Sequence, residues 1–180
     1  MYGMVHRAAR QMVLELHGED QWTSILGASG LGDEAFISAN VYDDAVTFNL
    51  IEALSRHCDT PVESILRAFG EYWISFAYQG DYRAMMTMAG HDLVSFLNNL
   101  NRMHDSIQVS IPGARLPTFL VEKATDADIE IAYFSDRKGL EPFVEGLLLG
   151  LMKHFNRDGQ VRQLGDSGRG ILFQIELSPQ

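Results

Sequence analysis

The hydrophobic residues of this chain change their spacing near residue 112, and this change limits the possible folds more than any other feature. Before that point, apolar side chains recur every three or four residues, which is the period of an amphipathic helix. After Pro117 the pattern shifts to short alternating runs typical of strands, interrupted by one further helical stretch. Helices followed by a strand–strand–helix–strand–strand unit predict an α+β fold with an antiparallel sheet.

The predicted elements fill the chain without an internal repeat, a linker or a low-complexity stretch. Helices are predicted over 2–16, 21–26, 43–56, 62–76, 82–88, 91–109 and 140–155, and strands over 118–123, 128–134, 160–163 and 171–177. Thr60, Pro61 and Glu63 predict a capping box at the start of the fourth helix, with Thr60 as the cap. We expect a single domain over 1–180, with an N-terminal helical part over about 1–60 and a part with helices and sheet over 61–180.

The composition argues against several classes of function. The 180 residues carry a net charge of -10, whereas binding to nucleic acid or to an anionic membrane requires a basic surface. Cys58 is the only cysteine, so no intrachain disulfide and no cysteine-based zinc site can form within these residues. The first residues lack the apolar core of a signal peptide, and no apolar run reaches transmembrane length. The expectation is a cytoplasmic protein without membrane insertion or nucleic-acid binding.

Three polar side chains share one face of the second predicted strand. Tyr133, Ser135 and Arg137 alternate along it, so a phenol, a hydroxyl and a guanidinium point to the same side. This donor set suits a carboxylate, because the arginine fork matches its two oxygens. The alternative is a solvated strand end at which Arg137 makes a surface ion pair with Asp136 or Asp128.

One histidine, His104, lies in register with the apolar stripe of a predicted helix. The others are expected near helix ends or on polar faces, in contact with solvent: His6, His17, His57, His91 and His154. One interpretation of His104 is a core histidine satisfied by a backbone carbonyl or a polar neighbour, and the other is an axial ligand of iron. Combined with a carboxylate clamp, such a histidine fits a haem, whose propionates need donors and whose iron needs a ligand.

The sequence resembles the H-NOX family, the haem-based nitric oxide/oxygen-binding domains. These domains occur alone in bacteria and as the sensor domain of soluble guanylate cyclase. The resemblance rests on the YxSxR motif of Tyr133, Ser135 and Arg137, on the helix histidine His104, and on Pro117. It covers essentially the whole chain.

Two further segments refine the resemblance. The opening sequence MYGMV and the sequence FGEYW at 69–73 are similar to the cyanobacterial and cyclase-type branch of the family, here in a stand-alone bacterial form.

The resemblance implies a haem b buried between the N-terminal helices and the sheet. Tyr133, Ser135 and Arg137 are expected to hold the propionates, and His104 is expected to be the proximal ligand of the iron. Pro117 falls where the family places the proline that presses on the haem and distorts it.

The resemblance also places the gas ligand in a distal pocket lined by Val5, Trp73, Phe143 and Leu147. Oxygen-binding members carry a tyrosine near the position of Phe143, and a phenylalanine cannot donate a hydrogen bond to bound O2. NO and CO need that donor far less, so the expected function is a sensor that binds NO and CO and excludes O2. Trp73 and Tyr2 are the side chains that could bring a polar group into the pocket.

The implied output is a switch rather than catalysis. NO weakens the bond between iron and His104, the released helix moves, and a separate effector protein reads the change; the family suggests a histidine kinase or a cyclic-di-GMP enzyme. Two alternatives keep the site and change its role: an O2-binding haem sensor, and a haem-free module that binds a carboxylate through Arg137. A haem enzyme such as a peroxidase is not expected, because no histidine or arginine lies on a distal stripe.

Overall fold

The computed structural model describes residues 1, 3–31, 36–37, 40–166, 168 and 170–179. The helices in these ranges are α1 (Gly3–His17), α2 (Glu19–Ala28), α3 (Asp44–Cys58), α4 (Val62–Gln79), α5 (Arg83–Ala89), α6 (Leu93–Ser110) and α7 (Glu141–His154). The strands are β1 (Thr118–Ala124), β2 (Asp128–Phe134), β3 (Gly159–Asp166) and β4 (Ile171–Leu177). Within this part of the chain, no helix is both long enough and apolar enough to cross a bilayer.

The four strands form one antiparallel sheet in the order β1–β2–β4–β3. The alternation of β2 places Ile129, Ile131 and Tyr133 on the face that packs into the core, and all three side chains are buried. The expected α+β fold, with N-terminal helices followed by an antiparallel sheet and its packed helices, is confirmed. Tyr133 is the last buried residue on this face of β2, so the strand leads from the core directly to the polar residues that follow it.

The two largest hydrophobic clusters among the described residues hold the helices, and α4 takes part in both. Leu66 and Phe69, in its first half, pack with α1, α2 and α3. Ile74 and Ala77, in its second half, pack with α5, α6, α7 and the sheet. Trp73 lies between the two halves and contacts both clusters. Each large apolar side chain buried in this way contributes about 1.5–3 kcal/mol, so α4 is fixed along most of its length.

The start of α4 differs from the prediction. The helix begins at Val62, its N-cap is Pro61, and no side chain caps it. The hydroxyl of Thr60 instead donates to the carbonyl of Cys58 at 3.0 Å, and the hydroxyl of Ser55 donates to the carbonyl of Thr60 at 2.6 Å. Thr60 therefore closes the turn after α3, and the predicted capping box is wrong.

His6 also differs from the prediction, because it lies in the core rather than in solvent. Its side chain on α1 has no exposed surface, and Nε2 lies 2.7 Å from the hydroxyl of Thr47 on α3. The ring packs against Phe36 and Tyr42, with centroid distances of 4.7 and 5.2 Å. Nδ1 is buried without a hydrogen-bond partner in the part of the chain that the structure describes. Burial lowers the pKa of His6 to about 4, and the nearby amino group of Met1 acts in the same direction.

The burial of His6 predicts that the free energy of unfolding decreases between pH 6.5 and pH 4. In the unfolded chain a histidine binds its proton near pH 6.5, whereas His6 stays neutral in the folded protein until the pH reaches about 4. The stability that comes from keeping His6 neutral is therefore fully present above pH 6.5. About 3 kcal/mol of the free energy of unfolding is lost as the pH falls from 6.5 to about 4. Urea unfolding at pH 7 and pH 4.5 measures the loss, and His6→Gln should reduce it. The control His57→Gln replaces an exposed histidine and should keep the full pH dependence; an equal loss in both variants would assign it to other groups.

Candidate functional site

A cavity lies between the helices and the sheet, and its walls are mostly apolar. Each residue that the sequence singled out for the site lines this cavity: Val5, Trp73, His104, Pro117, Tyr133, Ser135, Arg137, Phe143 and Leu147. The fold thus gathers side chains from α1, α4, α6, α7, β2 and the connections around the sheet. Their roles in binding stay predictions, but they all face one space.

His104, on α6, is held in a single tautomer. Its Nδ1 lies 2.8 Å from the carbonyl oxygen of Pro117, and a carbonyl can only accept, so Nδ1 carries the proton and donates it. Nε2 then keeps a lone pair, which is the form of imidazole that binds a metal. Burial lowers the pKa of His104 and outweighs the opposite effects of the Pro117 hydrogen bond and of Asp105. The ring therefore stays neutral, and one nitrogen is available to a ligand in the cavity.

Tyr133, at the end of β2, and Ser135 and Arg137, just after it, continue the buried face of that strand to one edge of the cavity, which is called its mouth below. The phenol of Tyr133 is 4% exposed, and burial raises its pKa, so it remains a protonated donor. The hydroxyl of Ser135 accepts the backbone N–H of Arg137 at 3.1 Å, which fixes the turn after the strand. The side chain of Arg137 is only 10% exposed. Two donors and one guanidinium thus meet at the same edge of the cavity.

Arg137 is paired with a carboxylate that the sequence analysis did not identify. Its Nε lies 2.9 Å from both oxygens of Asp44, at the start of α3, and Nη1 donates to the carbonyl of Arg115 at 2.7 Å. The alternative of a surface ion pair with Asp136 or Asp128 is therefore wrong. The carboxylate of Asp128 bonds instead to side chains elsewhere on the sheet.

Asp44 is shared by three cationic groups. Besides Arg137, the amino group of Met1 lies 2.5 Å from Oδ1, and Nη2 of Arg115 lies 3.0 Å from Oδ2. Burial acts to raise the pKa of Asp44, but the Met1 amino group and Arg137 outweigh it and lower the pKa below its usual value. Three cations around one carboxylate leave two positive charges in excess within this cluster, which favours binding of further carboxylates at the mouth.

The wall that carries Phe143 and Leu147 is formed where α4 and α7 cross at very short distance. A Cβ atom on Gly70 would lie 2.3 Å from the carbonyl oxygen of Phe143, and one on Gly146 would lie 2.1 Å from the carbonyl oxygen of Arg67. The two backbones can touch only because these positions lack side chains. The crossing fixes the depth at which Phe143 and Leu147 enter the cavity.

Gly146→Ala should therefore destabilise the protein by about 3 kcal/mol, the upper end of the usual cost of overpacking, because the added methyl group meets backbone rather than a movable side chain. The matched control is Gly27→Ala on α2, where a Cβ would have no atom within 4 Å. Since alanine favours helix over glycine, the control should gain up to about 1 kcal/mol. Chemical unfolding of both variants measures the difference, and equal stabilities would contradict the close crossing.

The cavity wall also carries the phenol of Tyr82 and the indole N–H of Trp73. Tyr82, just before α5, was not selected from the sequence, because nothing in its local pattern distinguishes it from the other aromatic residues. Its ring centroid lies 6.4 Å from that of Trp73. Neither the phenol of Tyr82 nor the indole N–H of Trp73 bonds to any residue that the structure describes. Tyr2, which the sequence analysis also considered as a donor, lies outside the described residues.

Fold and cavity together define a class of protein: an α+β domain with an apolar cavity, a neutral imidazole on one wall of that cavity and a cluster of cations at its mouth. The sequence model of the family described as "Haem-NO-binding" matches residues 2–163. The chain is 30% identical over 152 residues to soluble guanylate cyclase gcy-35 of Caenorhabditis elegans, which covers 82% of this chain and 22% of that protein. It is 34% identical over 94 residues to the beta-2 subunit of soluble guanylate cyclase of Rattus norvegicus, covering 52% of this chain and 14% of the subunit.

Solved structures show the same fold. An H-NOX protein from S. oneidensis in the Fe(II) ligation state, with three substitutions, superposes with a TM-score of 0.88 at 21% identity, covering 100% of this chain and 97% of that chain. An H-NOX protein from S. oneidensis in the Fe(II)NO ligation state superposes with a TM-score of 0.87 at 21% identity, covering 99% of this chain and 100% of that chain. This chain therefore belongs to the haem-NO-binding, or H-NOX, family of haem-based gas-sensor domains. It spans about a fifth of the length of the curated cyclases that it matches.

Proposed function

We propose that the cavity binds haem b and that Nε2 of His104 is the protein ligand of the iron. The observation that carries this proposal is the hydrogen bond from Nδ1 of His104 to the carbonyl of Pro117, which leaves Nε2 unprotonated inside an apolar cavity. When bound, the haem would supply an iron that can bind a diatomic gas. Pro117 lines the same cavity and would press on the porphyrin from the side of His104.

The haem propionates would lie at the mouth, against Tyr133, Ser135 and Arg137. The support is the geometry of the donors: the phenol is kept protonated by burial, and Nε and Nη1 of the guanidinium are already engaged, which leaves Nη2 for a further acceptor. The positive excess around Asp44 stabilises the two carboxylates there. A propionate bound at Arg137 would therefore be linked through Asp44 to α3.

The opposite face of the haem would meet Val5, Trp73, Phe143 and Leu147. Phe143 packs against Phe69 at a centroid distance of 5.2 Å and offers no hydrogen-bond donor. Bound O2 is polar and gains much from a donor, whereas NO and CO gain little. We therefore propose that the protein binds NO and CO and excludes O2.

The proposed output is release of His104. Binding of NO would weaken the hold of His104 on the iron and free the imidazole, and the N-terminal helices (about 1–60) would then shift relative to the rest of the chain (61–180). Asp44 supports this coupling, because it joins α3 directly to Arg137 at the site. A separate effector would read the shift, and we propose a histidine kinase or a cyclic-di-GMP enzyme.

Titration of the purified protein with haem, followed by visible absorption, tests the cofactor. The proposal predicts one haem per chain, with a Soret band that a long-chain fatty acid does not displace. The alternative function, a haem-free module that binds a carboxylate through Arg137, predicts the reverse: a saturable fatty-acid site and no stoichiometric haem.

Phe143→Tyr is expected to create affinity for O2, because it places a phenol on the wall that meets the gas. The spectrum of the reduced variant should change in air, while that of the unmodified protein should not. Phe155→Tyr is the matched control, since Phe155 packs in the core without lining the cavity. If the unmodified protein itself binds O2, Trp73→Phe and Tyr82→Phe will show which of these two polar groups of the cavity wall donates.

A further inference from the structure

Asn101, on α6, makes a two-point hydrogen bond to the first strand of the sheet. Its side-chain Nδ2 donates to the carbonyl of Phe119 at 2.5 Å, and its Oδ1 accepts the backbone N–H of the same residue at 2.9 Å. An amide is the side-chain group that can donate and accept in this way at once. Both backbone groups of Phe119 are thereby bound by one side chain of the helix.

Asn101 and His104 act on the same short segment. They are three residues apart, so they lie on one face of α6, and His104 bonds to Pro117 just as Asn101 bonds to Phe119. The ring of Phe119 packs near both His104 and Tyr133. Its centroid lies 6.0 Å from that of the His104 ring and 5.4 Å from that of the Tyr133 ring. The segment 117–119 is therefore tied to α6 by three hydrogen bonds and to the cavity by packing.

The other asparagines of α6 do not make this connection. Asn98 donates to the carbonyl of Val94 within its own helix, and Asn99 donates to the carbonyl of Ala89 at the end of α5. Among the side chains of α6 that the structure describes, only Asn101 bonds to a strand of the sheet. The helix is thus fixed against β1 at a point one turn before His104.

We propose that Asn101 is a positioning residue that sets whether His104 can follow the iron. If the cavity holds haem, the two hydrogen bonds to Phe119 would hold α6 against β1 one turn before His104, so that the imidazole would be hindered from moving with the iron when NO binds. This pair of hydrogen bonds between Asn101 and Phe119, called the Asn101 clamp below, would then favour release of the histidine. This inference rests on the proposed function, because it assumes that His104 binds the iron.

Two substitutions test the clamp. Asn101→Ala removes both hydrogen bonds, and Asn101→Asp keeps the acceptor but sets a carboxylate against the carbonyl of Phe119. The control is Asn98→Ala, which removes an exposed hydrogen bond inside the same helix. Three quantities are measured on the haem-loaded proteins: amide hydrogen exchange at Phe119, the iron–histidine stretching frequency of the reduced state, and the ratio of six- to five-coordinate species in the NO spectrum.

We expect exchange at Phe119 to become about five- to tenfold faster in Asn101→Ala, as for the loss of one hydrogen bond. The iron–histidine frequency should rise, and the ratio of six- to five-coordinate NO species should increase about fivefold or more, because the freed helix lets His104 stay with the iron. Asn101→Asp should shift all three quantities in the same direction, and Asn98→Ala should match the unmodified protein.

Faster exchange at Phe119 with an unchanged frequency and an unchanged NO spectrum would overturn the inference, since the clamp would then be broken without effect on His104. Failure of the proposed function gives a different result: His104→Ala would leave the reduced spectrum unshifted, and no iron–histidine frequency would be found in the unmodified protein either.

Discussion

Replacing His104 with alanine is expected to shift the Soret band and to lower haem affinity by at least about tenfold, since even loss of an outer hydrogen-bond partner weakens metal binding by about 10- to 100-fold. The reason lies in the neutral ring: Nδ1 is used by Pro117, and Nε2 is the nitrogen left for iron. Added imidazole should enter the vacated space and restore much of the original spectrum. Absorption spectra and haem content of the purified variant, with and without imidazole, measure the effect.

The control for this substitution is His57→Ala, which removes an exposed histidine near the end of α3 and should leave the spectrum unchanged. If His104→Ala keeps stoichiometric haem with an unshifted Soret band and no added imidazole, His104 is not the ligand. The ring would then be a core histidine whose hydrogen bond to Pro117 is its whole role.

Arg137→Ala should lower haem retention by about 10- to 100-fold while leaving the helix content intact. The guanidinium is 10% exposed, and a charge-assisted hydrogen bond from such a group contributes about 1.5–3 kcal/mol. The change also removes one of the three cations around Asp44 and releases the link between α3 and the cavity mouth. Transfer of haem to an excess of a high-affinity acceptor protein measures retention, and far-ultraviolet circular dichroism measures helix content.

The matched control is Arg162→Ala on β3, where an arginine that is 56% exposed pairs with Glu176 on the surface. Exposed ion pairs contribute little, so haem retention and stability should both stay close to those of the unmodified protein. Equal retention in Arg137→Ala and Arg162→Ala would mean that Arg137 serves only to hold Asp44.

The order of helices and strands was predictable because each element carries its own period in the sequence. The stripe Leu93, Phe96, Leu97 and Leu100 identified α6, and the alternation of Ile129, Ile131 and Tyr133 identified β2. The start of α4 was not predictable, because the hydroxyl of Thr60 can bond either to the first turn of α4 or to the end of α3. Only the folded turn shows that it bonds to the carbonyl of Cys58. The close crossing of α4 and α7 was also hidden, since a glycine inside a helix does not show in sequence what approaches it.

The site was predictable where its residues are neighbours in sequence and hidden where they are not. Tyr133, Ser135 and Arg137 define their shared face within five residues, so local geometry was enough. Asp44 lies 93 positions from Arg137, and an acidic residue in the first turn of a helix is common whatever its partner. His6 is buried because Thr47, 41 positions away, accepts or donates a hydrogen bond at its ring. Such long-range pairs depend on the packing of whole helices and leave no local signal.

We propose above that His104 holds the iron of a haem that responds to NO and not to O2. The most direct test is the visible spectrum of the reduced, haem-loaded protein, recorded first without gas, then in air, then with NO. We predict a five-coordinate spectrum that air leaves unchanged, and a further change with NO to a form in which the iron has lost its histidine. A stable change of the reduced spectrum in air would contradict the claimed selectivity, and an NO spectrum that remains six-coordinate would contradict release of His104.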